Sequence, residues 1–247
     1  MKITFLGTNG WYNTATGNTV CILIESTEYY VVLDAGTGFY KLDKYLTRDN
    51  PVFLLLSHFH LDHIYGLHIL VKFSFNGRLK IFGPEGIKDV LELIANDPFS
   101  VPMKHLPFEI EAFELPKERE NLPFEIECLK LSHASVTLGY RLHLDGRLLS
   151  YCPDTGYCEN ALKVARGADL LISECSFRPG EHQSAWPHLN PQQASQIAKD
   201  AKTKQLVLTH FDASRYSTME SRNEAEAVAR EIFPNTIASR DDMQISM

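Results

Sequence analysis

Residues 52–66 read VFLLLSHFHLDHIYG, and the rest of the chain is organised around them. The apolar run Val52 to Leu56 predicts a buried strand. It ends in four potential metal ligands within six positions: His58, His60, Asp62 and His63. Residues two apart on an extended segment point the same way, so His58 and His60 can grip one ion together. Asp62 and His63 fall where the chain turns into a helix, and adjacent side chains diverge there. They are better placed for a second ion beside the first. Imidazole with carboxylate suits zinc, and less selectively manganese, nickel or iron. With 10 His in 247 residues, the pattern His-x-His-x-Asp-His arises by chance in about one chain per thousand. A functional cluster at a strand end is therefore the stronger reading, because binding residues favour such loops.

Length and composition frame that cluster. At 247 residues, with 44% hydrophobic and 22% charged side chains, the chain suits one α/β domain with a sizeable core. A formal charge of −7 and a pI near 5.8 argue against long nucleic acid as a non-specific partner. A small anion remains compatible, since a metal site carries its own positive charge. The sequence contains no long apolar run and no signal-peptide pattern, which leads us to expect a cytoplasmic protein without membrane association. Cys21, Cys128, Cys152, Cys158 and Cys175 are odd in number and form no CxxC pair; reduced thiols account for them most simply.

Elsewhere the pattern alternates strands and helices. Lys2 to Leu6 predicts a strand running into a polar, glycine-rich loop, Gly7 to Gly17. A strand pair, Thr19 to Glu25 and Tyr29 to Asp34, closes on the turn Asp34-Ala-Gly-Thr-Gly. Ile64 to Phe75 and Glu85 to Ala95 predict helices around a strand at Leu79 to Phe82. The segments LPFEIEAFEL (106–115) and LPFEIECLKL (122–131) are near copies and read as two strands of a sheet. Val136 to Leu144 and Arg147 to Cys152 flank Asp145-Gly146, a hairpin signal. A helix at Glu159 to Ala165 and a strand at Leu170 to Ser173 follow. Asn190-Pro191-Gln192-Gln193 carries an N-cap, an N1 proline and an N3 glutamine. The strand Leu206 to Thr209, a helix from Glu220 to Ile232 and a closing strand complete the chain. Two sheets with outer helices in one domain, residues 1–247, are expected.

Two ions need more ligands than one cluster supplies. His133, Asp154 and His210 each stand just past a predicted strand, the same strand-then-ligand form as the cluster. Together with Asp34 in LDAG, Asp154 in PDTG and His210 in LTHF, the set resembles the metallo-β-lactamase fold, a four-layer αββα sandwich of dinuclear hydrolases. The resemblance implies that His58, His60 and His133 hold one ion, Asp62, His63 and His210 the other, and that Asp154 bridges them. It implies a supporting role for Asp34. Within the fold the chain looks most like the ribonuclease Z and phosphonate-pathway cyclic phosphodiesterase branch, through Leu138-Gly139-Tyr140, Ile81-Phe82-Gly83-Pro84, Ser173-Glu174, His188 ahead of Gln192-Gln193-Ala194, and Leu208-Thr209-His210-Phe211 with Ser214-Arg215-Tyr216. That branch implies homodimers, and a histidine like His188 near the leaving group, held by a carboxylate like Glu174.

Transfer-RNA-processing members carry a long RNA-clamping arm between the ligands matching His133 and Asp154. Only 20 residues intervene here, so a small, cyclic or linear phosphodiester is the expected substrate. The structural zinc that some cyclic phosphodiesterases hold on N-terminal cysteines has only Cys21 to bind it here. Two divalent ions with Asp62, Asp154 and a bridging hydroxide leave a charge of roughly +1, suited to a phosphodiester monoanion. Asp62, His188 and Glu174 are the expected catalytic set. Lactone or thioester hydrolysis on the same fold is the nearest rival. A di-iron module would place Glu at position 60, and a non-catalytic scaffold would leave His188 and Glu174 idle. Ser135 and Arg215 could touch phosphate but serve equally as loop residues. Buried thiols at Cys152 and Cys158, and structural or solvated His68, His105, His143 and His182, complete the expectations.

Overall fold

Successive strand residues face opposite sides of a sheet, so a strand apolar at every position must be covered on both sides. The computed structural model, which describes residues 1–247, has that arrangement. In the first half, β1 (Lys2–Gly7), β2 (Asn9–Gly10), β3 (Cys21–Glu25), β4 (Tyr30–Leu33), β5 (Val52–Leu55), β6 (Arg78–Gly83) and β7 (Glu109–Glu114) accompany α1 (Leu61–Ile64) and α2 (Ile87–Ile94). In the second half come β8 (Ile126–Lys130), β9 (Leu138–Leu144), β10 (Arg147–Cys152), α3 (Glu159–Ala165), β11 (Leu170–Glu174), α4 (Pro191–Asp200), β12 (Leu206–Thr209), β13 (Phe211–Asp212), α5 (Met219–Ile232), β14 (Thr236–Ala238) and β15 (Met243–Ser246). One sheet runs β15-β1-β3-β4-β5-β6-β7, the other β14-β12-β11-β10-β9-β8.

The two sheets pack face to face. Ile22, Ile24, Phe53 and Leu55 of the first meet Tyr140, Leu142, Tyr151 and Ile172 of the second in a shared core. The alternate residues of the same strands, among them Cys21, Leu23, Leu54 and Leu56, pack outward against Phe39, Leu42, Leu67 and Ile87. Beyond the second sheet, Leu171, Leu206 and Leu208 pack on Ala161, Ala194, Ala198 and Ala225, small residues that let α3, α4 and α5 lie close. The result is a single αββα domain.

The hairpin β9–β10 forms as expected, with Asp145 at φ 51° and Gly146 at φ 70°, both left-handed as a two-residue turn requires. It fills the interval between His133 and Asp154. Helix α4 carries the expected reciprocal cap between Asn190 and Gln193.

Three expectations are corrected. The near copies do not share a sheet: β7 edges the first and pairs with β6, whereas β8 edges the second and pairs with β9. What they share is an edge position and partial burial, with β7 nowhere fully buried and β8 only at Ile126. The helix expected over Ile64 to Phe75 is only one α turn followed by a 3₁₀ segment, Tyr65–Lys72. The groups an α-helix would use are committed elsewhere, because Gly66 N–H donates to Ala35 O at 2.7 Å and His63 O accepts from Ala35 N–H at 2.7 Å. Finally, the loop Gly7 to Gly17 contains β2, which pairs in parallel with β13.

Candidate metal centre

In parallel sheets, ligands gather beyond the carboxyl ends of the strands. Register brings those ends level here: Leu33 pairs with Leu55 across β4 and β5, Cys152 with Ser173 across β10 and β11, and Glu174 with Thr209 across β11 and β12. Asp34, the His58–His63 run, Asp154 and His210 each follow directly or within a few residues. His133 follows β8, and its loop is tied to the Asp154 loop by Gly156 N–H donating to Ser132 O at 2.8 Å.

All seven expected ligands converge in two groups, His58, His60, His133 and Asp154 in one and Asp62, His63 and His210 in the other, with donor atoms inside each group within 4.8 Å of one another. Two donors on one tetrahedral zinc ion stand about 3.3 Å apart. His60 Nδ1 and His133 Nε2 are 3.3 Å apart, His63 Nε2 and His210 Nε2 3.1 Å, and His210 Nε2 and Asp62 Oδ2 3.2 Å. Asp154 divides its carboxylate: Oδ2 lies 4.0 Å from His58 Nε2 and 3.7 Å from His133 Nε2, while Oδ1 lies 3.2 Å from His63 Nε2 and 3.1 Å from His210 Nε2.

Proton bookkeeping supports cation binding. Ser176 Oγ lies 3.0 Å from both His210 O and His210 Nδ1. Its single proton must go to the carbonyl, so Nδ1–H donates to the hydroxyl and His210 Nε2 presents a lone pair. His63 Nδ1–H donates to Asp34 Oδ2 at 2.9 Å, which leaves its Nε2 as a lone pair too. Two lone pairs aimed at each other repel unless a cation or proton stands between them. His58 repeats the logic. Its Nδ1 is 3.0 Å from Ser57 Oγ, whose proton goes to Asp34 Oδ2, and its buried Nε2 makes no hydrogen bond within the chain. The donors present therefore fit two divalent ions.

Charge leads to the same conclusion. Burial would lower the pKa of His63, but Asp154, Asp62 and Asp34 outweigh it and hold it well above the usual imidazole value. Burial would raise Asp62 and Asp154, yet the surrounding histidines keep both carboxylates well below the ordinary range. Burial and neighbouring His63 depress His58. Burial likewise lowers His60 and His133, so positive charge is favoured at the second group, and ionised Asp62 and Asp154 supply the negative charge that a cation would meet.

Asp34 was expected in a supporting role; its partners and the other supports went unseen in the sequence. Asp34 accepts from Ser57 N–H at 2.7 Å and from Tyr151 O–H at 2.6 Å while holding His63. The Trp11 backbone N–H donates to Asp62 Oδ2 at 2.7 Å. Gly10 lies so close to His210 that an added Cβ would stand 2.5 Å from its Cε1, a clash only glycine avoids. Ser57 and Ser176 adjoin residues already singled out, so proximity was an available signal; backbone contacts from Gly10 and Trp11 leave none.

His188 Nδ1 lies 2.7 Å from Glu174 Oε1, whose carboxylate also accepts from Thr155 N–H at 2.7 Å and Ser176 N–H at 3.0 Å. Burial disfavours charge on His188, but Glu174 raises its pKa to about 9. Its ring centroid is 5.1 Å from that of His133 and 6.2 Å from that of His210, beside both groups. Trp186 lies parallel to His60, 6° between planes at 6.4 Å. His68, His105, His143 and His182 join neither group. Arg215 is engaged by Glu181 at 2.9 Å and Asp212 at 2.5 Å. All five cysteines are free thiols; burial pushes Cys128 up to about 12 and raises Cys21, Cys152 and Cys175.

Residues 29–211 match the family model described as a beta-lactamase superfamily domain. Curated relatives named ribonuclease Z include one from Synechococcus sp. (strain CC9605), 28% identical and covering 100% of this chain and 98% of the relative, and one from Enterococcus faecalis, 28% identical over 98% and 96%. The first alignment runs over 319 positions against 247 residues here, so that relative carries at least 72 residues without counterpart in this chain. Among solved structures, the metallo-beta-lactamase fold protein YhfI from Bacillus subtilis superposes with a TM-score of 0.79 at 23% identity, covering 99% of each chain. Human tRNase Z, short form, gives 0.76 at 22%, covering 100% and 99%, and a diphosphatase of the PhnP family 0.74 at 17%, covering 100% and 97%. These likenesses show the fold.

Proposed function

Because this chain belongs to the metallo-β-lactamase superfamily, we propose that it is a metal-dependent phosphodiesterase acting on a small, linear or cyclic, phosphodiester. The observation that carries the proposal is Asp154, which turns one carboxylate oxygen to each donor group with the His188–Glu174 pair standing alongside. His58, His60, His133 and Asp154 would hold one divalent ion, zinc first by donor chemistry, and Asp62, His63, His210 and Asp154 the other. Such a pair supplies Lewis acidity and a water acidified to near neutrality.

The chain's own residues do the rest. Asp154 fixes the spacing of the two groups, and Asp34 and Ser176 fix the tautomers of His63 and His210. Glu174 keeps a proton on His188 and aims the ring, so that His188 can stabilise a non-bridging phosphate oxygen or protonate the leaving alkoxide. Glu174 is thus a positioning residue and Asp62 an ion ligand. The interval between His133 and Asp154 is consumed by β9–β10, which supports a small substrate over long RNA; the ribonuclease Z relatives support the competing tRNA 3′ endonuclease reading. A homodimer is expected from the same branch.

Metal analysis of the purified protein, combined with assays on bis(p-nitrophenyl) phosphate, a 2′,3′-cyclic nucleotide, a cyclic ribose phosphate, a lactone and pre-tRNA, tests the proposal. Diester turnover should vanish on chelation and return with metal. Strong pre-tRNA cleavage or preferential lactone opening would overturn it. His188→Ala should lower turnover about 10²–10⁴-fold while metal content stays unchanged; loss of both ions would remove the role given to His188.

A further inference from the structure

Four large apolar side chains left exposed on this surface, Trp11 (66%), Tyr12 (43%), Leu61 (69%) and Tyr65 (52%), converge on one place. They line a cavity of about 280 Å³ whose remaining walls are Asn13, Thr19, Thr37 and the ligand residue Asp62. The cavity adjoins the metal centre through Asp62, whose Oδ2 accepts from Trp11 N–H at 2.7 Å. Trp11 takes a left-handed backbone, φ 73°, a conformation a bulky residue holds only when its surroundings impose it. Its ring meets that of Tyr12 edge to face at 5.3 Å and 65°.

The polar wall is oriented as well. Asn13 Oδ1 accepts from Thr19 N–H at 3.1 Å and from the Thr37 hydroxyl. Those two donors fix which end of the amide is oxygen. The Asn13 Nδ2 group makes no hydrogen bond within the chain and is free to donate. No cationic side chain lines the cavity, and its one carboxylate belongs to the metal centre.

Aromatic walls with an oriented donor, and no charge to neutralise an anion, suit a planar neutral ring carrying a hydrogen-bond acceptor on its edge. We infer that this cavity is the seat of the nucleobase of a nucleoside phosphodiester, whose phosphate reaches the adjoining metal centre. The inference rests on the phosphodiesterase reading of that centre and names its substrate class. The volume of about 280 Å³ is enough for one base. Stacking on exposed aromatic side chains contributes enough per base to be measured by truncation.

The test uses the full chain loaded with zinc. Values of kcat/KM are compared for a 2′,3′-cyclic nucleotide and for the cyclic ribose phosphate that lacks the base. The base-bearing substrate should be favoured by about tenfold or more, expressed in KM. Trp11→Ala, which keeps the N–H bonded to Asp62, and Tyr65→Ala should each bring that ratio toward one. Asn13→Ala should do so for bases that present an acceptor. Trp11 and Trp186 are the only 2 tryptophans, so in a Trp186→Phe background a nucleoside monophosphate should quench the fluorescence of Trp11 alone. Equal kcat/KM for the two substrates, with diester hydrolysis intact, would overturn the base seat and leave the proposed function standing. Quenching of Trp11 by the nucleotide without turnover of any diester supports the seat and removes the proposed function. If Trp11→Ala does not fold, as judged by circular dichroism and metal content, the Tyr65 and Asn13 variants decide.

Discussion

The two donor groups of this centre are built to different standards. In the group of Asp62, His63 and His210, every ligand is held from behind: Asp62 by the Trp11 N–H, His63 by Asp34, and His210 by Ser176 with Gly10 pressed against its ring. In the group of His58, His60 and His133, only His58 has such a partner, Ser57. The buried Nδ1 of His133 makes no hydrogen bond, and His60 relies on the ring of Trp186. Outer partners fix tautomer and orientation and raise ligand basicity. The first ion site should therefore be the weaker and more exchangeable of the two, although each has three ligands of its own and shares Asp154. Where the number of ligands is equal, the rigidity behind them decides.

Removing the shared element should erase that contrast. Asp154→Ala takes away the one carboxylate that faces both groups and leaves buried imidazoles with nothing to bridge them. Metal content after gel filtration should fall from two ions to one or none, and kcat/KM by about a thousandfold. Retention of two ions would show that the groups are independent. Asp34→Asn should act unequally on the two. It disturbs the bond that fixes the tautomer of His63 directly, so affinity at the second site should drop about 10–100-fold, while the first site, which Asp34 reaches only through Ser57 and His58, falls less. Stepwise zinc titration by calorimetry reads the two separately. Equal weakening of both would mean that Asp34 acts as much through Ser57 as through His63.

What the sequence disclosed follows the same divide. The ligands were legible because each carries chemistry in its side chain and stands at a strand end: four of them in SHFHLDH, the others after Leu131, Cys152 and Thr209. The sandwich was legible because strands such as Cys21–Glu25 are apolar on both faces. Apart from Asp34 and Glu174, the supports were not, because several act through the backbone. The pairing of Asn9–Gly10 with Phe211–Asp212 joins segments about 200 residues apart, and a glycine-rich loop carries no pattern to announce it. The shortening of the helix after His63 has the same origin, since Gly66 and His63 spend their backbone groups on Ala35. The near copies at 106–115 and 122–131 misled because edge strands of different sheets share the same partial burial.

The smallest predicted effect bears on the least supported ligand. Trp186 is 49% exposed, yet it lies parallel to His60 and 6.0 Å from the ring of His133. Burial alone does not explain its position, since half of it still faces water. Aromatic contacts of this geometry contribute about 0.5–1.5 kcal/mol, which converts to roughly two- to twelvefold in an equilibrium constant. Trp186→Ala should therefore raise the dissociation constant of the first ion by that factor and leave the second unchanged, read in the same zinc titration. Trp186→Phe preserves a ring face and should recover most of the loss. If Trp186→Ala instead weakens the second ion as much as the first, His60 does not depend on this ring. The asymmetry between the groups would then lie in the missing partner of His133 alone.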